Sequence, residues 1–441
     1  MSRGIVLNEV FTPSTVATLT YVQRKKLEND LIKNIQMPGM QIVMYGHSGS
    51  GKTTMLTNVL NRFCYQSIKT SCMNTTTFES LIFDILDKLD IHISSENTYS
   101  KEITSTFKLG INDIFSDFKI QDTDTSKCIM KNVRAVPLQI SINRIADILC
   151  KLGIIWVIED FHKIDESEKI KLSQVMKIFM DKAAEHGLIK IICIGAVGTA
   201  RELIQYDKEL NNRVFELNVS LMEDDELLEI IDKGFKLMRI KIEDETVYKK
   251  ILFYSNNLPA VCHQLCYNMC YSKNIQKPSL FRKKILTVND FDCAVKENIK
   301  STSDTFVRLY EKIDESELTS ILQTILSLEK ESFKQKDIKV NYKKDVSTFL
   351  DMLCSVEYGE VLRYNSRENF YNFSNPFFQA FLKQKFAIEK LRREEKKKRD
   401  QKMELKQSTE IDYLEFLIKS YERRNKEWES IKIRNMKYFK L

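Results

Sequence analysis

The segment from Met44 to Leu60 constrains the fold most, because it contains a complete phosphate-binding motif. Its residues, MYGHSGSGKTTMLTNVL, fit the template G-x-x-x-x-G-K-[ST] between Gly46 and Thr53. Such a loop lies between a strand that delivers the backbone and a helix whose amino end faces the phosphates. The apolar run MQIVMYG and the amphipathic pattern from about Lys52 to Phe63 predict both elements. A chance glycine-serine loop would not have both flanks, so the motif predicts nucleotide binding.

Each residue type in the motif has a physical role. Glycines let backbone N–H groups approach a polyphosphate closely. Lys52 is expected to reach the β- and γ-phosphates, and Thr53 to place its hydroxyl on Mg²⁺. The expected ligands are therefore ATP and Mg²⁺. The residues predicted to contact them from this loop are Gly46, Ser48, Gly49, Ser50, Gly51, Lys52, Thr53 and Thr54.

A second apolar segment, IIWVIEDFHKID, ends in two acidic residues. In phosphate-loop enzymes, one carboxylate at such a strand end serves the metal and another orients the attacking water. We assign Glu159 to Mg²⁺, through water, and Asp160 to the positioning of water. Two acids that merely end a strand in solvent are the alternative. His162 is interpreted as a packing or hydrogen-bonding residue rather than a catalyst.

The order of patterns along the chain predicts an α/β fold. The continuous apolar runs IIWVIED and LIKIICIGAVG alternate with helical segments, which is typical of a parallel sheet covered by helices on both faces. With 12 Gly and 6 Pro in 441 residues, the chain favours helices over tight hairpins. The first residues, MSRGIVLNEVF, lack the apolar core of a signal peptide, and no apolar run approaches the ~20 residues of a membrane span. A cytoplasmic protein without membrane contact is expected.

A chain of 441 residues is too long for one ordinary core, and four regions are predicted. Residues 1–220 form the phosphate-loop domain, with an insertion or mobile segment at 91–137 that is rich in Ser, Thr, Asn, Asp and Lys. Residues 221–300 form a helical lid, with no strands expected between Met222 and about Asn298. Residues 301–386 contain helices closed by a hairpin of EVLRY and NFYNF, which resembles a winged helix. Residues 387–441 form a charged helical tail.

The tail contains two different patterns. Residues 383–406 hold eleven Lys or Arg and five Asp or Glu, and this excess of six positive charges is close to the net charge of +7 of the whole chain. A solvent-exposed helix with charges of both signs is the ordinary explanation. Further on, apolar residues recur at heptad spacing, with Asn425 at an intervening position. This second pattern indicates either a helix docked on the chain's own body or a partner-binding helix. The apolar residues are Ile411, Leu414, Ile418, Tyr421 and Trp428.

Three of the ten cysteines, Cys262, Cys266 and Cys270, share one helix face. As zinc ligands they would crowd along a single helix with no partner pair of fixed spacing. We therefore interpret them as small buried thiols and predict no metal site there.

The order of these motifs resembles the AAA+/STAND branch of P-loop ATPases over about residues 19–385. YVQRKKLE is similar to the family's hhGR-x-x-E box, which implies a structural or base-side role near the adenine for Arg24. EDFHKI looks like the DD-[FY]-H strand end of STAND proteins. SNNLPAVCHQL resembles their G-L-P motif, which implies that Pro259 touches the nucleotide base. A lid followed by a winged helix is also the family's order.

The resemblance implies two further roles near the γ-phosphate. DKELNNRVFELNV is similar to the segment that ends in an arginine finger in AAA+ and transposition-helper ATPases, so Arg213 is a candidate catalytic residue that acts on a neighbouring subunit. A surface arginine paired with Asp207 or Glu209 is the alternative. A polar γ-phosphate sensor is expected at the end of the strand IIKIICIG, where this chain has Gly195, followed by Thr199 and Arg201.

The winged-helix segment could contact DNA or pack on the ATPase domain. Its candidate recognition helix, KKDVSTFLDMLCSVE, has Lys343 and Lys344 at the start but Asp345, Asp351 and Glu357 afterwards. An acidic, apolar helix is a poor surface for phosphates. The packing role is therefore favoured, and DNA is not.

The leading functional hypothesis is an ATP-binding and ATP-hydrolysing switch that controls self-association or a separate effector protein. The resemblance implies roles in signalling and defence, bacterial antiphage systems among them. The alternative is a DNA-associated AAA+ ATPase of the initiator or transposition-helper kind, which a basic winged helix would favour. A nucleotide-binding scaffold without turnover is a third class, and loss of the lysine or the acids would favour it; both are present.

Overall fold

The computed structural model describes residues 4–91, 142–186, 189–196, 210, 212–279, 282–302, 304–315, 318–338, 346–366 and 368–438. From residue 92 onward, the predicted insertion lies outside these ranges. Thr199 and Arg201, the candidate sensors, also lie outside them, as does the start of the candidate recognition helix, residues 343–345.

The described helices and strands are numbered here in chain order. The helices are α1 (Leu7–Val10), α2 (Lys25–Gln36), α3 (Lys52–Arg62), α4 (Phe78–Lys88), α5 (Ile142–Lys151), α6 (Glu166–His186), α7 (Asp224–Leu237), α8 (Thr246–Ser255), α9 (Pro259–Ser272), α10 (Val288–Lys300), α11 (Asp304–Glu315), α12 (Thr319–Ser327), α13 (Val346–Cys354) and α14 (Pro376–Tyr438). The strands are β1 (Gln41–Tyr45), β2 (Gln66–Ser71), β3 (Ile154–Glu159), β4 (Ile191–Gly195), β5 (Val214–Asn218), β6 (Ile240–Ile242), β7 (Lys284–Leu286), β8 (Ser332–Phe333), β9 (Leu362–Asn365) and β10 (Phe370–Phe373).

Five parallel strands form the central sheet, in the order β2-β3-β4-β1-β5. This arrangement confirms the predicted α/β fold and the three strands expected from apolar runs. The sequence analysis did not identify β2 and β5. Both lie at an edge of the sheet, where one side of the strand is unpaired, and their sequences QSIKTS and VFELN mix polar with apolar residues.

Helices cover both faces of the sheet, and β3 shows why its sequence is apolar throughout. Trp156 and Ile158 face a core built with α4, α5 and α6. Ile155 and Val157 face the opposite core, built with α2 and α3. A strand buried on both faces has no polar alternation.

Helices α7 to α10 and the N-terminal α1 surround a second core. The expectation of helices without strands is wrong here, because β6 and β7 pair in parallel. Each has three residues, too few to show an alternating pattern. The aromatic ring of Phe11, from the N-terminal arm, packs so closely on Gly234 that a Cβ there would lie 2.3 Å from it.

The thiols of Cys262, Cys266 and Cys270 are buried in this second core on α9. Burial raises the pKa of Cys270 to about 12, so its thiol stays protonated at neutral pH. These cysteines act as small apolar side chains between helices.

A third core lies between α11, α12, α13 and an antiparallel sheet of order β8-β10-β9. The hairpin predicted from EVLRY and NFYNF is confirmed, since Phe370 to Phe373 pair antiparallel with Asn365 to Leu362. The boundaries of the four predicted regions stay predictions.

One helix, α14, runs for 63 residues from Pro376 to Tyr438. The side-chain oxygen Oδ1 of Asn375 accepts the N–H groups of Phe377 (2.9 Å) and Phe378 (3.3 Å), and Pro376 occupies the first helical position. Both features favour a helix start at this point. The predicted boundary between residues 386 and 387 falls inside α14. In the part of the chain that the structure describes, no helix is long and apolar enough to cross a membrane.

Candidate nucleotide-binding site

The phosphate loop joins the carboxyl end of β1 to the amino end of α3, and two of its glycines are in close contact with other parts of the chain. A Cβ on Gly46 would lie 2.3 Å from the carbonyl oxygen of Val219, just after β5. Gly49 has a φ of +75°, and a Cβ on it would lie 2.5 Å from the ring of Phe377 in α14. No larger residue fits either position without movement. The loop is therefore enclosed between the central sheet and the start of α14.

Lys52 folds back over the loop. Its Nζ donates hydrogen bonds to the carbonyl oxygens of Gly46 (2.9 Å) and His47 (2.7 Å). Burial lowers the pKa of Lys52, while the charge of Asp160 acts in the opposite direction. The ammonium group thus lies over the loop that the motif assigns to phosphate binding, held by weak neutral acceptors that a phosphate would replace.

The hydroxyl groups predicted to contact the nucleotide surround Lys52. Ser48, Ser50, Thr53 and Thr54 all line one cavity of about 450 Å³. Ser50 is only 1% exposed, and its Oγ has no hydrogen-bond partner among the described residues. A buried, unpaired hydroxyl is costly unless a ligand completes its hydrogen bonds.

The two acids lie at the carboxyl end of β3, and β4 separates them from the phosphate-loop strand. Glu159 has a buried Oε1 with no partner among the described residues. Asp160 adopts a left-handed backbone (φ +57°), and its carboxylate pairs with Lys163 at 2.6 Å. The two neighbours therefore differ: one carboxylate points inward and is unsatisfied, whereas the other is half exposed and paired.

The residues predicted to hold Mg²⁺ fit that ion. Thr53 and Glu159 line the same cavity as Lys52. A hydroxyl and a buried carboxylate oxygen without a partner are ligand types that Mg²⁺ uses beside phosphate oxygens. Their roles stay predictions, as do those of the other site residues.

The far end of the cavity is formed by the N-terminal arm and α9, which belongs to the region predicted to be the lid. Residues 12–17 of the arm and Pro259 at the first position of α9 line it. Arg24 also lines the cavity, but its guanidinium pairs with Glu226 at 3.0 Å and donates to the carbonyl oxygen of Ser220 at 2.8 Å. These contacts tie α2 to the start of α7. The resemblance implies either a structural or a base-side role for Arg24, and these contacts favour the structural role.

His263, one helical turn after Pro259, is a cavity residue that the sequence analysis missed. It is buried, and its Nδ1 accepts the backbone N–H of Thr12 at 3.1 Å. Burial lowers its pKa to about 4. The spacing of four residues from Pro259 on one helix was the available signal. The contact with Thr12 joins segments 251 positions apart, which no local pattern predicts.

Arg213 lies at the other end of the sheet. Its carbonyl oxygen accepts the N–H of Gln41, at the start of β1, whereas the phosphate loop follows the end of that strand. Its side chain is 54% exposed and pairs with Asp181 at 2.8 Å. Asp207 and Glu209, the partners considered from the sequence, lie outside the described residues. The position excludes contact with this chain's own cavity, and a role on a neighbouring subunit stays a prediction.

Comparison with solved structures gives similarities at low sequence identity. A Walker-type ATPase of Pyrococcus abyssi has a TM-score of 0.49 at 14% identity, with 83% of this chain and 100% of that chain covered. Cdc6p of Pyrobaculum aerophilum has a TM-score of 0.45 at 14% identity over 88% and 100% of the two chains. The ORC2 protein of Aeropyrum pernix has a TM-score of 0.46 at 12% identity over 85% and 96%. No curated protein matches the sequence.

A family profile provides the assignment. The profile of an ATPase domain found predominantly in Archaea matches residues 21–255. This match spans more than half of the 441 residues and includes the phosphate loop and both acids. The chain belongs to this family of ATPases and is a P-loop ATP hydrolase.

Proposed function

We propose that this ATPase is a switch in which ATP, bound between the phosphate loop and the lid, controls self-association or a separate effector protein. The observation that carries the proposal is the contact between Gly49 of the loop and Phe377 in the first turn of α14. A change in the loop would act directly on the helix that leads out of the molecule. Two elements in such contact can couple a ligand to a distant surface.

Nucleotide binding is expected to change the hydrogen bonds within the phosphate loop. Lys52 is bonded to two carbonyl oxygens of its own loop, those of Gly46 and His47. To contact phosphate oxygens it must release them. Arg363 on β9 is near enough to His47 to contribute, after burial and Lys52, to the lowered pKa of that histidine. The charge of Arg363, on a strand of the third core, thus acts on the part of the loop that would rearrange.

The lid also holds α14. Asn256, at the end of α8, donates to Oε1 of Gln379 at 3.0 Å. Asn298 donates to Oε1 of Gln384 at 2.7 Å, and Gln384 in turn donates to the carbonyl oxygen of Tyr254 at 3.1 Å. Buried polar contacts resist rupture because each lost partner leaves an unsatisfied group. A nucleotide that moves the lid would therefore carry α14 with it.

Hydrolysis in this proposal uses residues that line the cavity. The loop N–H groups and Lys52 would bind the phosphates, and Thr53 with Glu159 would hold Mg²⁺, which when bound supplies positive charge that neutralises the phosphates. Asp160 positions the attacking water. Its pairing with Lys163 at 2.6 Å competes with that task and supports slow turnover, as suits a switch.

The third core is proposed to be winged-helix-like and to serve packing rather than DNA contact. Its helices α11, α12 and α13 pack against the three-stranded sheet β8-β10-β9, whose strand β8 lies between α12 and α13 in the chain. The described part of the candidate recognition helix, α13, contains Asp351 and neither Lys nor Arg. With the AAA+/STAND motif order, this supports a signalling role, with bacterial antiphage defence as one setting.

The test compares Phe377→Ala with Phe416→Ala, a control on the same helix far from the loop. Release of a fluorescent ADP analogue and limited proteolysis of α14, with and without ATP and Mg²⁺, are measured. Phe377→Ala should release ADP faster and expose the buried start of α14, residues 376–391, in the absence of ATP, whereas the control should match the parent chain. The switch would be contradicted if Phe377→Ala and the parent chain released ADP at equal rates and if ATP did not change the cleavage pattern of α14.

A further inference from the structure

The distal half of α14 leaves the body of the molecule. Its first turns are buried, with Phe378, Leu382 and Ile388 in the hydrophobic cores. Beyond Leu391 and up to residue 429, each residue whose side-chain burial is described is exposed, apart from Ser420. The body therefore does not cover the helix at the positions whose burial is described, among them residues 413–429.

Large apolar side chains cluster on the free part of the helix. Leu414 is 57% exposed and Trp428 is 70% exposed, with Ile418 and Tyr421 between them on the same stripe. We call Leu414, Ile418, Tyr421, Asn425 and Trp428 the tail stripe. An exposed apolar stripe of this length is typical of a surface that another molecule covers.

The spacing of the tail stripe indicates a coiled coil. Leu414, Tyr421 and Trp428 occupy heptad position d, and Ile418 and Asn425 occupy position a. A β-branched residue at a with leucine at d favours two parallel strands. A single asparagine at a fixes the register, because it is satisfied by the same asparagine of an identical helix.

Charges beside the stripe select the orientation. Position e holds Glu415, Glu422 and Glu429. Antiparallel helices would bring these acids against each other. Parallel helices instead place Arg424, at position g, beside Glu429 of the second copy. The same segment is a poor membrane anchor, since residues 412–429 hold five acidic and four basic side chains rather than a basic excess.

We propose that a second copy of this chain covers the tail stripe, in a parallel, in-register, two-stranded coiled coil over residues 411–428. Because the stripe lies beyond the body, formation of this pair does not require nucleotide. It is separate from any ATP-controlled association, and it holds two ATPase bodies in one dimer whether or not α14 moves with the lid.

The experiment measures the mass of the full chain by light scattering over the micromolar range, with and without ATP. The parent chain should be dimeric in both conditions. Ile418→Glu, which puts a charge in the pairing seam, should raise the dissociation constant at least about tenfold. Phe416→Glu is the matched control, since Phe416 lies at position f, is 66% exposed against 58% for Ile418, and should not affect dimerisation.

Two further variants test orientation. Arg424→Glu should weaken the dimer, and the swap Arg424→Glu with Glu429→Arg should restore it, as parallel pairing requires. Leu414→Cys should form a disulfide between two tails under mild oxidation, identified by mass spectrometry against the parent chain. Three outcomes would each overturn the proposal. The parent chain could be monomeric at all concentrations, with and without ATP, or it could form a dimer that Ile418→Glu does not weaken. It could also be a monomer that binds phosphatidylserine vesicles through Ile418.

Discussion

The backbone N–H of Thr12 donates to Nδ1 of His263 at 3.1 Å and so fastens the N-terminal arm to α9, in the predicted lid. Because Nδ1 is the acceptor, the neutral ring carries its proton on Nε2. A second proton on the ring would occupy Nδ1 and break this bond. The N-terminal arm therefore closes the cavity through this bond only while His263 is neutral.

The first prediction concerns stability against pH. The pKa of His263 is about 4 in the folded chain, below the 6.5 of an unfolded histidine. The unfolded chain thus takes up the proton first, and stability is lost as pH falls from 6.5 toward 4. The linkage predicts a loss from this residue of roughly 2 kcal/mol between pH 7 and pH 5. Urea unfolding at both pH values provides the measurement.

His263→Gln keeps a polar side chain that does not titrate. It should reduce the stability difference between pH 7 and pH 5 by about that 2 kcal/mol relative to the parent chain. Equal pH dependence in the two proteins would show that His263 is not held neutral by burial.

The sequence predicted the phosphate loop and the three central strands because local patterns specify them. The template from Gly46 to Thr53 fixes a strand, a turn and a helix together. Two-sided burial makes β3 apolar at every position from Ile155 to Ile158. By contrast, β6 and β7 owe their strand form to each other, which three-residue segments do not reveal.

The contacts around the site were harder to predict because they join distant parts of the chain. Phe377 reaches Gly49 from more than three hundred residues away. The resemblance allowed Arg24 either a structural or a base-side role, and only the structure shows that Glu226 and Ser220 bind its guanidinium. Sequence indicates which side chains have suitable chemistry, whereas packing decides which of them remain available to a ligand.

Lys52→Ala is predicted to abolish ATP binding, because the charge that offsets the phosphates is removed from the site. Charge-assisted bonds of this kind are among the strongest in proteins. Isothermal calorimetry against Lys26→Ala, an exposed lysine on α2, is the measurement. Unchanged ATP affinity in Lys52→Ala would exclude the phosphate-loop assignment.

Substitutions of Asp160 and Glu159 should have different effects on hydrolysis and on its dependence on Mg²⁺. Asp160→Asn is expected to leave ATP binding nearly intact and slow hydrolysis, whereas Glu159→Gln should weaken the dependence on Mg²⁺. Lys163→Ala removes the partner of Asp160 and should speed hydrolysis if that pairing restrains it. Phosphate release across a Mg²⁺ titration measures all three. The opposite pattern would mean that the roles of the acids are exchanged.

The last prediction tests whether Arg213 acts on a neighbouring subunit. Arg213→Ala should bind ATP normally, because the residue lies at the opposite end of the sheet from the loop, yet it should fail to hydrolyse ATP. Arginine fingers contribute ~10³–10⁵ in rate in related phosphoryl-transfer sites. Asp181→Ala is the control, since it removes only the ion-pair partner and should keep turnover.

Mixing distinguishes a finger from a structural arginine. Arg213→Ala offers an intact pocket, and Lys52→Ala, inactive for a different reason, offers an intact finger. An interface between the two variants reunites both parts, so the mixture should hydrolyse ATP although neither variant does alone. A finger effect of ~10³ or more makes even a small mixed fraction visible above background. Absence of rescue at every mixing ratio, with Arg213→Ala as active as the parent chain, would leave Arg213 as a surface residue paired with Asp181.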